Sequence, residues 1–139
     1  MSSRNTNTGG VLEAMILPAL ARGGYASEKQ VLLGCRPGGR KHKVDAVASK
    51  EGEARIIVSL KWQQVSGTAE QKVPFEVICL AEVVNCGACA KAYLVLGGDG
   101  WTLRDYFVGG GLETHLVHAT KVKIVTLERF VALANQGQL

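Results

Sequence analysis

Two short apolar segments, residues 44–48 and 55–61, constrain the fold of this 139-residue chain more than any other stretch. A glycine-containing turn separates them, and this pattern predicts two strands that pair as a β-hairpin. Polar side chains interrupt both segments: Asp45 lies near the start of the first, whereas Ser59 and Lys61 lie near the end of the second. Successive strand residues point to opposite faces, so Ser59 and Lys61 share one face. The hairpin is therefore expected to bring all three residues to one edge of a sheet.

The polar residues of this hairpin are unfavourable for strands and indicate a functional site. Aspartate and lysine are both depleted from strands, and a local conflict of this kind often marks a place where function overrides folding preference. A carboxylate supplies the oxygen ligands that Mg²⁺ prefers. A neighbouring lysine can position the attacking water or stabilise the charge that develops on a phosphate. Asp45 and Lys61 therefore predict a site for a divalent metal and a phosphodiester.

The remaining patterns predict a single α/β domain in which helices flank a central mixed sheet. A chain of this length corresponds to one domain. Residues 1–7 are polar and are expected to be disordered, which leaves residues 8–139 as the domain. Pro18 is expected to kink the first helix. Apolar periodicity predicts helices at 11–22, 73–84, 101–107 and 127–135, and strands at 30–35, 44–48, 55–61, 92–96 and 121–125.

The basic residues form two groups that are candidates for binding a polyanion. The net charge is +4 and the pI is near 9.0, which favours a polyanionic partner. One group is a loop that opens directly onto Asp45, and the other precedes the last helix. Solvated surface charge is the alternative interpretation, but beside the predicted site these residues are expected to line a DNA groove. The candidate DNA-binding residues are Arg36, Arg40, Lys41, His42, Lys43, Lys121 and Lys123.

The cysteines and the overall hydropathy indicate a cytoplasmic protein. No apolar run is long enough to span a bilayer, and the N-terminus lacks the pattern of a secretion signal. In that compartment the four cysteines are expected to be thiols. Cys86 and Cys89 have the spacing of half a zinc site, but no second pair follows, so buried thiols are favoured over zinc ligands.

Glu70 and Glu76 are interpreted as surface residues.

The order and spacing of the polar residues resemble the PD-(D/E)XK nuclease superfamily. The pattern of that superfamily is a Glu on the first helix, an Asp on a strand and (Asp/Glu)-x-Lys on the next strand. Glu13, Asp45 and Ser59-Leu60-Lys61 occur here in that order, and the resemblance covers residues 8–96. It implies a restriction-endonuclease-like αβββαβ core and an endonuclease that depends on Mg²⁺ or Mn²⁺.

The resemblance also implies a set of site residues, with one departure from the pattern. Lys61 would act on the nucleophile or on the developing charge, and Ser59 stands where the pattern has an acid. Either Glu13 supplies the second carboxylate with Gln63 or a water completing the shell, or the protein only binds DNA, or the serine is an inactivating substitution. The implied catalytic residues are Asp45, Lys61, Glu13, Ser59 and Gln63, of which Asp45 and Glu13 hold the metal.

Three functions follow from this resemblance. Homing- or restriction-like cleavage of double-stranded DNA is the leading expectation. Resolution of Holliday junctions, which are branched DNA, is the first alternative, and a non-catalytic DNA-binding module is the second. A single site cuts one strand, so cleavage of two strands implies a homodimer or a homotetramer.

Overall fold

A computed structural model describes residues 8–34 and 36–139, so the predicted disorder of residues 1–7 and the state of Cys35 lie outside the described residues. The helices are α1 (residues 8–22, π-helical over Leu12–Ile16 and α-helical over Leu17–Arg22), α2 (Ala69–Asn85), α3 (Arg104–Val108) and α4 (Leu127–Asn135). The strands are β1 (Ala26–Leu33), β2 (His42–Ser49), β3 (Ile56–Trp62), β4 (Lys91–Gly97) and β5 (Val122–Thr126). In the described part of the chain, no helix has the length and apolar character needed to cross a membrane.

The five strands form one mixed sheet in the order β1-β2-β3-β4-β5. The pairs β1–β2 and β2–β3 are antiparallel, whereas β3–β4 and β4–β5 are parallel. The parallel connection from β3 to β4 runs through α2, as a crossover requires. The predicted α/β architecture with a mixed sheet and flanking helices is confirmed.

Each face of the sheet carries its own hydrophobic core. On one face α2 packs against the sheet in a cluster that includes Ile57 and Val77. On the other face α1 and α4 pack in a cluster that includes Val58 and Phe130. Because side chains alternate along a strand, Ser59 points to the same side as Ile57. The sheet thus directs the polar residues of β3 towards α2.

Two local predictions differ from the structure. The first strand begins at Ala26, earlier than the predicted residue 30, because its first half is an exposed edge with no apolar alternation. Pro18 lies in the first turn of the α-helical part of α1, where its missing N–H costs little. The irregularity that the proline predicts is present just before it, as the π-helical turn Leu12–Ile16.

The β1–β2 ladder is interrupted at Asp45. The pairs on both sides form, but Gln30 and Asp45, which face each other in the same register, do not pair. Gln30 has a φ of 56°, in the left-handed region that a strand residue rarely adopts. Val44 and Val47 are three residues apart, yet both belong to the core beneath α2. The alternation of β2 therefore breaks at Asp45, in the middle of the sheet.

Candidate active site

β3 and α2 bring a lysine, a serine and a glutamate together. Glu76 lies on the sheet-facing side of α2, three residues after Val73 and four before Leu80, both fully buried. Ser59 Oγ donates a hydrogen bond to Glu76 Oε2 at 2.7 Å. Lys61 Nζ lies 3.8 Å from Glu76 Oε1. The carboxylate that β3 lacks at residue 59 is thus supplied from the helix above it.

The neighbours of Glu76 hold it in the ionised form. Its side chain is only 12% exposed, and burial alone would raise its pKa. The contact with His42, the positive charge of Lys61 and the hydrogen bond from Ser59 outweigh burial and lower the pKa of Glu76 to about 2. The prediction that Glu76 is a surface residue is wrong, because the residue lies in the apolar stripe with which α2 covers the sheet.

His42 faces Glu76 from the start of β2. Its Nε2 lies 3.6 Å from Glu76 Oε2, which is longer than a hydrogen bond. The side chain is 4% exposed, and its Nδ1 has no hydrogen-bond partner among the described residues. His42 is therefore not placed for the DNA contact that the sequence predicts. It belongs to the same polar cluster as Glu76.

Asp45 reaches β3 with its side chain. The backbone N–H of Leu60 donates to Asp45 Oδ2 at 2.7 Å, so the carboxylate takes the place of a ladder acceptor. Burial raises the pKa of Asp45, and the N–H of Leu60 and the charge of Lys61 oppose that rise. The charge of Glu76 raises it further, which means that the two carboxylates are close enough to repel each other.

An open cleft of about 960 Å³ lies in front of Asp45 and Lys61. β1 contributes Gln30 to its wall, and the first turn of α2 contributes Lys72, whose side chain is exposed. The segment from residue 62 to residue 69 forms another wall. Lys72 was not among the predicted DNA-binding residues, although it can reach a ligand in this cleft.

Gln63 lies at the inner end of the cleft and is fixed by Glu70. Its Nε2 donates to Glu70 Oε2 at 3.2 Å and to the carbonyl oxygen of Gly100 at 2.8 Å. Burial would raise the pKa of Glu70, but hydrogen bonds from Thr102, Leu103 and Gln63 lower it. Glu70 is 7% exposed, so its predicted surface position is also wrong. The amide group of Gln63 anchors the loop beside α3, and its buried Oε1 has no partner among the described residues.

Glu13 is not brought to the other predicted metal ligand. Its carboxylate is exposed and forms an ion pair with Lys29 of β1. Leu12, the preceding residue, is buried and lines the cleft, whereas Glu13 is not one of the lining residues in the part of the chain that is described. Leu12 and Ile16 lie four residues apart on the buried face of α1, and Glu13 lies off that face.

The predicted DNA-binding residues fall into two separate regions. Arg40 and Lys41 are exposed on the loop before β2, and Lys43 is exposed as the second residue of β2, two residues before Asp45. Arg36 lies over the ring of Phe75, with 5.5 Å between the guanidinium carbon and the ring centre. Lys121 and Lys123 are also exposed but lie on the other side of the sheet's centre.

The position of these two lysines in the sheet separates them from the cleft. Lys61 is in register with Leu96, and Leu96 is in register with Thr126. Lys123 lies three residues before Thr126, the β5 residue in register with Lys61, and β5 is two strands away from β3. One continuous groove formed by both basic groups is therefore not supported.

The two carboxylates fit a hard divalent cation. Mg²⁺ is commonly held by one or two carboxylates, with waters and substrate phosphate oxygens completing an octahedral shell. Within the described residues no group of three or more His, Cys, Asp or Glu side chains is arranged to hold a metal ion. The donors present here are Asp45 and Glu76. Burial is the main cause that raises the pKa of Asp45 and the charge of Glu76 adds to it, so a cation held by both carboxylates would favour their ionised forms. Cys89 is a buried thiol whose pKa is raised by burial. Cys86 is disulfide-bonded, so the expectation of a thiol at that position is wrong and the pair does not form half a zinc site.

Comparison with known proteins identifies both a family and a related fold. The sequence model of one family, described as a PD-(D/E)XK nuclease superfamily domain, matches residues 4–138. A crystallised protein of unknown function, AF1548, is similar with a TM-score of 0.52 and 14% sequence identity over 80% of this chain and 54% of that one. The present chain thus spans about half the length of that protein, and the likeness concerns the fold. No curated protein matches.

Proposed function

Because the chain belongs to the PD-(D/E)XK nuclease superfamily, we propose that it is a DNA endonuclease that depends on Mg²⁺ or Mn²⁺. The observation that carries this proposal is the convergence of Asp45, Lys61 and Glu76. Glu76 replaces the acid that the family pattern has at residue 59. The serine at this position therefore does not imply a protein that only binds DNA.

Each residue of the cluster has a distinct task in hydrolysis. Asp45 and Glu76 would hold the metal, which would supply activation of a water and neutralisation of charge on the phosphate. Lys61 lines the cleft together with Asp45 and lies 3.8 Å from Glu76, and it would stabilise the negative charge that develops on the phosphate oxygens. Ser59 fixes the orientation of Glu76 through its hydrogen bond. The N–H of Leu60 fixes Asp45 in the same way.

Charge and position favour DNA as the substrate. Arg40 and Lys41 lie on the loop that leads into β2, Lys43 is exposed at the start of β2, and Lys72 lies at the cleft. Such side chains can neutralise phosphates on a strand that enters the cleft. We expect duplex cleavage of the homing or restriction type, with cleavage of branched junctions as the alternative. Either reaction cuts two strands and requires a homodimer or homotetramer.

The test is cleavage of a supercoiled plasmid and of a four-way junction in Mg²⁺, in Mn²⁺ and in EDTA. We expect metal-dependent cutting that is lost in Lys61→Ala and in Glu76→Gln. Glu82→Gln removes an exposed carboxylate from the same helix and should cut as the wild type does. The double variant Ser59→Glu with Glu76→Ala should recover part of the activity, because the hydrogen bond places the two positions in direct contact.

Several outcomes of this experiment would contradict the proposal. Cutting that persists in EDTA would exclude the metal, and DNA binding without any cutting would favour the binding module. If Glu76→Gln cuts as well as the wild type, Glu76 is not the missing acid. The two substrates separate a duplex endonuclease from a junction resolvase.

A further inference from the structure

Gln30 combines a strained backbone with a position beside the metal-binding aspartate. It is the one residue other than glycine with a positive φ in the described ranges 8–34 and 36–139. Its partner position across the β1–β2 ladder is Asp45, and this is the position at which the ladder fails to pair. Left-handed backbone is unfavourable for a residue with a Cβ atom, and conformations of this kind cluster at functional sites.

The distortion alone does not explain why this residue is a glutamine. Glycine adopts a positive φ without steric cost, and this chain uses glycine at such positions repeatedly, for example at Gly24, Gly52 and Gly98. If the site required only an interrupted ladder, glycine would supply it with less strain. A glutamine at this position, in place of a glycine, therefore indicates a use for its side chain.

The side chain of Gln30 is available for a ligand. It is exposed, it lines the same cleft as Asp45 and Lys61, and its amide makes no side-chain hydrogen bond with the other described residues. Its neighbours in β1 differ in this respect: Lys29 is paired with Glu13, and Val31 packs against the core. Gln30 is thus the polar group that this part of β1 presents to the cleft.

On the basis of the function proposed above, we propose that Gln30 binds the DNA strand that enters the cleft. Its amide offers two N–H donors and one carbonyl acceptor, which suit a phosphate oxygen or a base edge next to the scissile phosphodiester. A neutral amide adds no long-range attraction. Its contribution is a directional contact that sets the register of the strand against Asp45, in contrast to the lysines and arginines of the loop before β2.

The test separates the backbone of Gln30 from its side chain. Binding of a fluorescein-labelled 30-base-pair duplex is measured by anisotropy in Ca²⁺, and thermal unfolding is measured on the same samples. Gln30→Gly should raise Tm by about 2–4 °C, because it relieves the left-handed strain, and should weaken binding about 5-fold, the equivalent of one hydrogen bond. Gln30→Ala should weaken binding equally without raising Tm.

Ser27→Gly is the matched control, since it places a glycine at another exposed position of β1 without a change of charge. It should bind the duplex as the wild type does and should not gain stability. The proposal is overturned if Gln30→Gly gains stability and still binds like the wild type, because the left-handed backbone would then serve only to free Asp45. If the wild type itself neither binds nor cuts DNA, the proposed function fails first and this inference fails with it.

Discussion

Replacing Glu76 with glutamine tests the electrostatics of the site with little change of shape. Glutamine can still accept the hydrogen bond of Ser59 through its carbonyl oxygen, but it offers no charge to Lys61. On folding, the pKa of Glu76 falls from its ordinary value of 4.5 to about 2, and each unit corresponds to about 1.4 kcal/mol. The ionised carboxylate therefore contributes on the order of 3 kcal/mol to the free energy of unfolding near neutral pH.

The sign of the shift gives this contribution a defined dependence on pH. Because the pKa of Glu76 is lower in the folded protein than in the unfolded chain, the stabilisation is complete above about pH 4.5 and is lost as the pH falls towards 2. Glu76→Gln is expected to lower Tm at pH 7 by about 10 °C. The difference from the wild type should shrink steadily at pH values below about 4.5.

Urea unfolding of the wild type and of Glu76→Gln at a series of pH values measures this difference directly. Glu82→Gln is the matched control, because Glu82 is exposed on the same helix. That variant should follow the wild type at every pH. A loss of stability in Glu76→Gln that is equal at acidic and neutral pH would refute the reasoning, since it would reflect packing and not the charge.

Three further predictions follow from the same cluster. The pKa of Asp45 is raised in the folded protein, so its ionised form lowers the stability of the fold at pH values above its ordinary pKa. Asp45→Asn should therefore raise Tm at pH 7 and abolish plasmid cleavage. A fall in Tm would contradict this. Because His42 faces Glu76, His42→Ala should weaken Mn²⁺ binding about 10- to 100-fold in calorimetry, and His42→Gln should weaken it less. If His42→Ala binds Mn²⁺ as tightly as the wild type, His42 does not position Glu76. Glu70→Gln should lower Tm by several degrees while Mn²⁺ affinity stays unchanged, because Glu70 bonds to Gln63 and Leu103 and makes no hydrogen bond to Asp45 or Glu76.

The hairpin was predictable because its information is local. Alternation, a glycine at the turn and the apolar residues of 44–48 and 55–61 define two paired strands whatever surrounds them. Pairing of β2 with β3 brings Asp45 and Lys61 near each other, but the alternation of β2 breaks at Asp45, so the pattern does not give the direction of the Asp45 side chain. The first half of β1 was missed for the opposite reason: Ala26 to Gln30 are all exposed, and an exposed edge strand has no apolar pattern to detect.

Glu76 was missed because its burial depends on a contact that the sequence does not state. It interrupts the apolar stripe of Val73, Val77 and Leu80 at helical spacing, and that interruption was the available signal. A glutamate in such a stripe is exposed if the helix is rotated about its axis, and otherwise it is buried and needs polar partners in the sheet. Only the packing of α2 on β3 decides between these, because it brings Lys61 and Ser59 beneath the carboxylate.

The position of Glu13 also follows from helix geometry. A regular helix places residues three or four apart on one face, and Leu12, Ile16 and Leu20 form the buried face of α1 at that spacing. Glu13 lies off this face, where it is exposed and pairs with Lys29. The apolar spacing therefore favours an outward position, and the role of Glu13 as a metal ligand, which only the resemblance implies, stays a prediction.

Ser59 and Glu76 behave as one unit, and this changes how the family pattern applies to the chain. A metal requires a carboxylate at a point in space, and that point can be reached from β3 or from α2. With Glu76 present, an acid at residue 59 would put a second carboxylate where Ser59 now donates a hydrogen bond at 2.7 Å. Two carboxylates that share a site cannot both ionise freely. Ser59 therefore suits a glutamate on the helix, and we expect an acid at residue 59 to be tolerated better when Glu76 is replaced by a neutral residue.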